Sequence, residues 1–193
     1  GSSAMRAKLT TLRLAAPRPP ADARTPLLVS AETLPGLRTL HLCGVDVVQH
    51  SALPLPSRLS RVDLRSCTVS ADFLTAVLAA PALAALSVGD VEATDGRTFF
   101  PSCAAPKLRR LVAEAGTPLA ASAVMWQALA NVRVLALSGF GPDGSMQVIV
   151  PGGDLPRLEQ LVVSDMYDTQ FVLEAQLRLR CVTSVFVSKS SLT

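Results

Sequence analysis

The sequence predicts an α/β solenoid, a stack of strand-and-return units sharing one elongated core, and three observations predict it. The first is recurrence: the spacing Leu-x-x-Leu-x-Leu, with Val and Ala variants, occurs eight times in 193 residues. The second is period, because the first positions fall at 9, 37, 59, 83, 108, 132, 158 and 182, in steps of 22 to 28 residues. The third is alternation: the second and third apolar residues of each triplet are two apart, and a strand points such a pair to one side. Composition agrees with a packed chain, at 49% apolar, 17% charged and 4% aromatic. No single unit of this size buries its apolar face alone, so the units must stack.

The strands are expected in order at Leu9/Leu12/Leu14, Leu37/Leu40/Leu42, Leu59/Val62/Leu64, Leu83/Leu86/Val88, Leu108/Leu111/Ala113, Val132/Leu135/Leu137, Leu158/Leu161/Val163 and Val182/Val185/Val187. Three of the intervening returns predict helices. SADFLTAVLAA (70–80) has Ser70 as N-cap, Phe73, Leu74, Val77 and Leu78 on one face, and Pro81 as stop. TPLAASAVMWQALAN (117–131) opens with Thr117 and Pro118, and its Trp126 is expected in the packing. DTQFVLEAQLRL (168–179) repeats the arrangement with Phe171, Val172, Ala175 and Leu179. The other returns carry Pro54 and Pro56, or Asp95-Gly96 and Pro101, and predict extended loops or short 3₁₀ turns. APRPPADARTP (16–26) predicts a stiff surface loop, or a contact with a neighbouring segment.

On these triplets the chain resembles the leucine-rich repeat family from about Lys8 to Val187. The resemblance implies a horseshoe with about eight parallel strands on the concave face, and mixed helices and loops on the convex face. The Asn or Cys that the family places three positions after the third Leu is clear only as Cys67, in LRSCTV. That departure implies irregular turns leaving the strands, similar to F-box or ribonuclease-inhibitor-like members.

Residues 1–5 (GSSAM) read as an expression scar, and residues 6–193 as a single repeat domain. A strand directly after the scar, and another close to Thr193, suggest a fragment whose capping segments come from the rest of the native chain. The apolar runs stop short of the roughly 18 residues of a membrane span, so no membrane association is expected. Cys43, Cys67, Cys103 and Cys181 form no C-x-x-C pair; they read as free thiols of an intracellular protein, cytoplasmic or nuclear, with two disulfides of a secreted one as the alternative.

Catalytic and cofactor signals are weak. GFGPDG (139–144) matches Gly-x-Gly-x-x-Gly after a predicted strand, with Glu159 beyond it, but SMQVIVPGG offers no helix to present amides to a pyrophosphate. His41 and His50 lack ligand-type neighbours at turn or helical spacing. No nucleophile elbow or phosphate loop is present, and the expectation is a protein with no catalysis, cofactor or metal.

What remains is a surface. The outward strand positions place Arg38, His41, Arg61, Asp63 and Arg65 in the first half. In the second half Val112, Val134, Ala136, Val162 and Phe186 form an apolar floor rimmed by Arg109, Arg110, Arg133 and Glu159. Aliphatic side chains beside arginines fit a site that another protein covers, so the chain is expected to be a non-catalytic interaction module or scaffold, its partner a peptide or domain held on the concave face. The F-box likeness gives the alternative of a substrate-recruiting part of a ubiquitin ligase. Nucleic-acid binding ranks below both, because stacking aromatics are nearly absent from the inner wall and acids interrupt the basic zone.

Overall fold

The computed structural model describes residues 8–16, 27–47, 54–94, 105–114, 129–138, 148–150, 155–164, 171–173 and 184–188. Eight strands form one sheet: β1 (Thr11–Ala15), β2 (Thr39–Cys43), β4 (Arg61–Arg65), β6 (Ala85–Gly89), β8 (Arg110–Ala113), β9 (Val134–Ser138), β11 (Gln160–Ser164) and β13 (Ser184–Ser188). They lie in the order β1-β2-β4-β6-β8-β9-β11-β13, every neighbouring pair parallel. Each strand therefore pairs with the next one of its kind along the chain, which makes the molecule a parallel-strand solenoid.

The register follows the leucine spacing. Leu12, Leu40, Val62, Leu86, Leu111, Leu135, Leu161 and Val185 form one cross-strand row. Leu42, Leu64, Val88, Ala113 and Leu137 belong to the row two residues on, and all five are buried. The first apolar positions Leu37, Leu59, Leu83, Leu108, Val132 and Leu158 are buried as well, each closing a turn on the residue three before it. The sequence at four of those turns is Leu34-Pro35-Gly36-Leu37, Ala80-Pro81-Ala82-Leu83, Ala105-Pro106-Lys107-Leu108 and Leu155-Pro156-Arg157-Leu158; the other two are Pro56-Ser57-Arg58-Leu59 and Leu129-Ala130-Asn131-Val132. Proline fits the second position because its ring presets φ there and the turn asks no N–H of it.

Beyond the main strands the chain turns through a left-handed residue at three equivalent places: Gly44 (φ 67), Ser66 (φ 49) and Asp90 (φ 48). A buried apolar residue follows at Cys67 and Val91. Then come short strands β3 (Asp46–Val47), β5 (Thr68–Val69) and β7 (Glu92–Ala93), which form a second parallel sheet. These three turns share that left-handed residue. Val91 occupies the place of Cys67, so the turn is held by main-chain conformation and burial rather than by a polar side chain in every repeat.

Helix α1 (Ala71–Ala79) matches its expected bounds. Ser70 Oγ accepts from the Phe73 amide at 3.2 Å, and Phe73, Leu74, Val77 and Leu78 are all buried. The helix expected at 168–179 is a correction: Phe171–Leu173 is strand β12, paired in parallel with β10 (Val148–Val150). Three contiguous β-branched or large apolar residues suit a strand as well as a helix face, and here pairing decides. The helix expected at 117–131, the proline-rich loop expected at 16–26, GFGPDG and Trp126 lie outside the described residues, apart from Ala16 and the turn closing at Val132. One buried cluster joins the eight-stranded sheet, the sheet of β3, β5 and β7, and α1, from Val29 to Leu161.

Candidate functional site

The opposite face of the eight-stranded sheet carries the outward residues of each strand, and pairing makes them rows. The middle row runs Arg13, His41, Asp63, Ser87, Val112, Ala136, Val162, Phe186. The row nearer the strand starts runs Thr11, Thr39, Arg61, Ala85, Arg110, Val134, Gln160, Ser184. Rows of this kind arise because in-register parallel strands place equivalent side chains about 4.8 Å apart.

In the first half the charges are tied to one another. His41 Nδ1 lies 3.3 Å from Asp63 Oδ2, and Arg65 Nε donates to Asp63 Oδ1 at 3.3 Å. Arg65 also reaches Glu114 Oε1 at 3.5 Å, although β6 lies between their strands. Gly89 makes that reach possible. A Cβ on Gly89 would stand 2.8 Å from Glu114 Oε2, so the carboxylate lies over the bare glycine on its way to Arg65. The Glu114 and Asp63 carboxylates push the Arg65 guanidinium further above its ordinary value, and it stays charged. With 54% of the Arg65 side chain exposed, these pairs contribute about 0–1 kcal/mol each. Their effect is geometric: Asp63 is engaged by His41 and Arg65. Beside them is an open hollow of about 420 Å³ lined by Arg13, His41, Cys43, Asp63 and Arg65 among others. Cys43 is an exposed free thiol and Cys67 a buried one.

In the second half Val112, Val134 and Val162 are half-buried. Val112 and Val162 share the middle row with Ala136 between them, whereas Val134 lies in the neighbouring row between Arg110 and Gln160. The main chain of Phe186 pairs with that of Val162 at the end of the middle row. Arg38, Arg109 and Arg133 are exposed and lie just before the strands, not on the face itself, and Arg133 pairs with Glu159 at 3.1 Å. The twelve residues expected at a site are thus a linked charged group (His41, Asp63, Arg65), an aliphatic patch, and arginines along the strand starts. Ala85, Ser87 and Gly89 of β6 separate the first two.

No family model, curated protein or solved structure matches this chain. Its site is therefore read from its own chemistry. Among the described residues no group of three His, Cys, Asp or Glu side chains is placed to hold a metal ion. Among the same residues no helix is long and apolar enough to cross a membrane. Glu114 was missed as a member of the charged group, and its signal was Gly89, the glycine at an outward strand position. Arg58, Lys107 and Arg157 were missed too; each stands at the third position of a turn, directly before a buried first leucine.

Proposed function

We propose that this chain is a leucine-rich-repeat-type solenoid and a non-catalytic binding module, whose open sheet face, the concave wall in such a solenoid, holds a polypeptide partner. The observation that carries the reading is the aliphatic row Val112, Ala136, Val162, half-exposed on a face of in-register strands and flanked by Arg110. Aliphatic side chains beside arginine gain most from being covered by a surface that brings its own aliphatics and acids. The repeat-class reading is supported by the leucine triplets in one register, the step near 24 residues, and the recurrent left-handed corner. The free thiols Cys43 and Cys67 support placement in a reducing compartment.

Val112→Asp with Val162→Asp tests the face. Both lie opposite the core, so thermal unfolding should stay within a few degrees of wild type while proteins captured by the immobilised wild-type chain are lost. Equal capture by a folded double variant would remove the face from the binding surface.

A further inference from the structure

Among the described residues, positive charge is sorted by position along the strand. Arg58, Lys107 and Arg157 stand in the turns before strands, and Arg38, Arg109 and Arg133 immediately before the first strand residue; all six are exposed. Arg61 and Arg110, also exposed, open their strands. Together they are eight of the eleven lysines and arginines among the described residues, and they share one edge of the sheet.

Main-chain bonds hold that edge in line. The Ser60 amide donates to the Arg38 carbonyl, Arg109 to Ala84, Arg133 to Arg109 and Glu159 to Arg133, at 2.8 to 2.9 Å. Glu159, the residue before β11, is already on Arg133. Asp46, Asp90, Glu92 and Glu114 lie beyond the other ends of the strands. Among the described residues the other seven edge cations have no ion-pair partner. Like charges repeated at roughly 5–10 Å repel, and an anionic chain laid across the strands relieves that repulsion at several points at once.

The chemistry of the neighbouring rows selects the kind of anionic chain. Val134 adjoins Arg110 in the first row, and Val112, Ala136 and Val162 follow in the next. A nucleic acid would look for aromatic platforms or flat polar edges there. The side chains described there, Val112, Val134, Ala136 and Val162, are aliphatic instead. We propose that the strand-start edge of the sheet is a docking strip for an acidic segment of another polypeptide, with acids toward the edge cations and aliphatic side chains toward the valine row. The proposal rests on the polypeptide-binding reading above and adds the edge, its turn residues, and the partner's charge.

The test uses a fluorescently labelled peptide of alternating Glu and Val, titrated with the whole chain at low ionic strength. The expected result is binding that weakens with added salt, and a loss of about tenfold or more in Arg58→Glu/Lys107→Glu/Arg157→Glu. Those side chains are exposed, so circular dichroism and the unfolding midpoint should match wild type. The neutral triple variant to Gln should give a smaller loss, which serves as the reading if charge reversal unfolds the chain. Peptide binding that both triple variants leave unchanged overturns the strip, and so does an oligonucleotide of equal charge that displaces the peptide. The valine double variant separates the two claims. Peptide affinity lost there but kept in both triple variants ends the strip and leaves the face; the reverse pattern keeps the strip and ends the face.

Discussion

At the scale of single residues, Cys67 shows how a position can be fixed by burial more than by chemistry. Its thiol donates to the Arg65 carbonyl at 3.2 Å and is wholly buried. Burial pushes its pKa up, against the pull of main-chain hydrogen bonds. The sign follows directly. The folded chain keeps the proton where the unfolded chain loses it, so the stabilisation is complete below the ordinary thiol pKa of about 8.5 and declines as pH rises above it. Val91 fills the equivalent place after β6, and the Arg65 carbonyl also accepts from the Gly44 amide. Cys67→Val should therefore leave stability at neutral pH within about 1 kcal/mol of wild type. In urea melts at rising pH, the variant should lose less stability than wild type above that pKa. Parallel curves for the two proteins would show that Cys67 carries no part of the alkaline loss. The sequence singled out Cys67 for its residue type. It could not show that Val91 serves the same turn, because the shared feature is the left-handed φ of Ser66 and Asp90, which non-glycine residues do not announce.

At the scale of elements, α1 was legible because its signals agree. Ser70 caps, four apolar residues recur at helical spacing, and Pro81 follows the end. Ser70→Ala should cost about 1 kcal/mol through the lost bond to the Phe73 amide. Phe73→Ala should cost about 3–5 kcal/mol, because the ring is fully buried in the core. Urea unfolding measures both, and a Phe73→Ala cost below that of Ser70→Ala would contradict the packing described. Legibility fails where the signals conflict. Phe171-Val172-Leu173 scores for helix and strand alike, and its pairing with Val148–Val150 depends on a segment some 20 residues away that no local pattern reveals. The two-residue strands β3, β5 and β7 are shorter than any periodicity can register, although Val47 and Val69 bring their apolar side chains into the core. At the site, the outward positions were readable from strand alternation. The bond from Arg65 to Glu114 was not, because it crosses an intervening strand and depends on the absence of a side chain at Gly89.

At the scale of the whole molecule, stability passes between neighbouring repeats, and the strand order states which residues have neighbours. The leucine period implies this architecture, since triplets every 24 or so residues bury their apolar faces when stacked side by side, in register. What the period does not carry is inequality among repeats. Leu14 and Leu64 hold the same register row and the same chemistry, yet Leu64 lies between β2 and β6, whereas Leu14 lies on β1, which pairs with β2 alone in the eight-stranded sheet. The consequence is visible in exposure: Leu14 is 37% exposed and Leu64 is 0%. An alanine at position 64 removes a side chain packed on both flanks and should cost about 2–5 kcal/mol, with the cavity it leaves adding to the lost burial. An alanine at position 14 removes a side chain already in part in water and should cost about 1 kcal/mol or less, near the range of surface substitutions. Amide hydrogen exchange should show the same gradient, with β4 and β6 protected to nearly the global stability and β1 opening at lower free energy. Equal costs for the two leucines, or equal protection of β1 and β4, would mean that the repeats unfold as one indivisible block and that nearest-neighbour stacking does not set the stability of this solenoid.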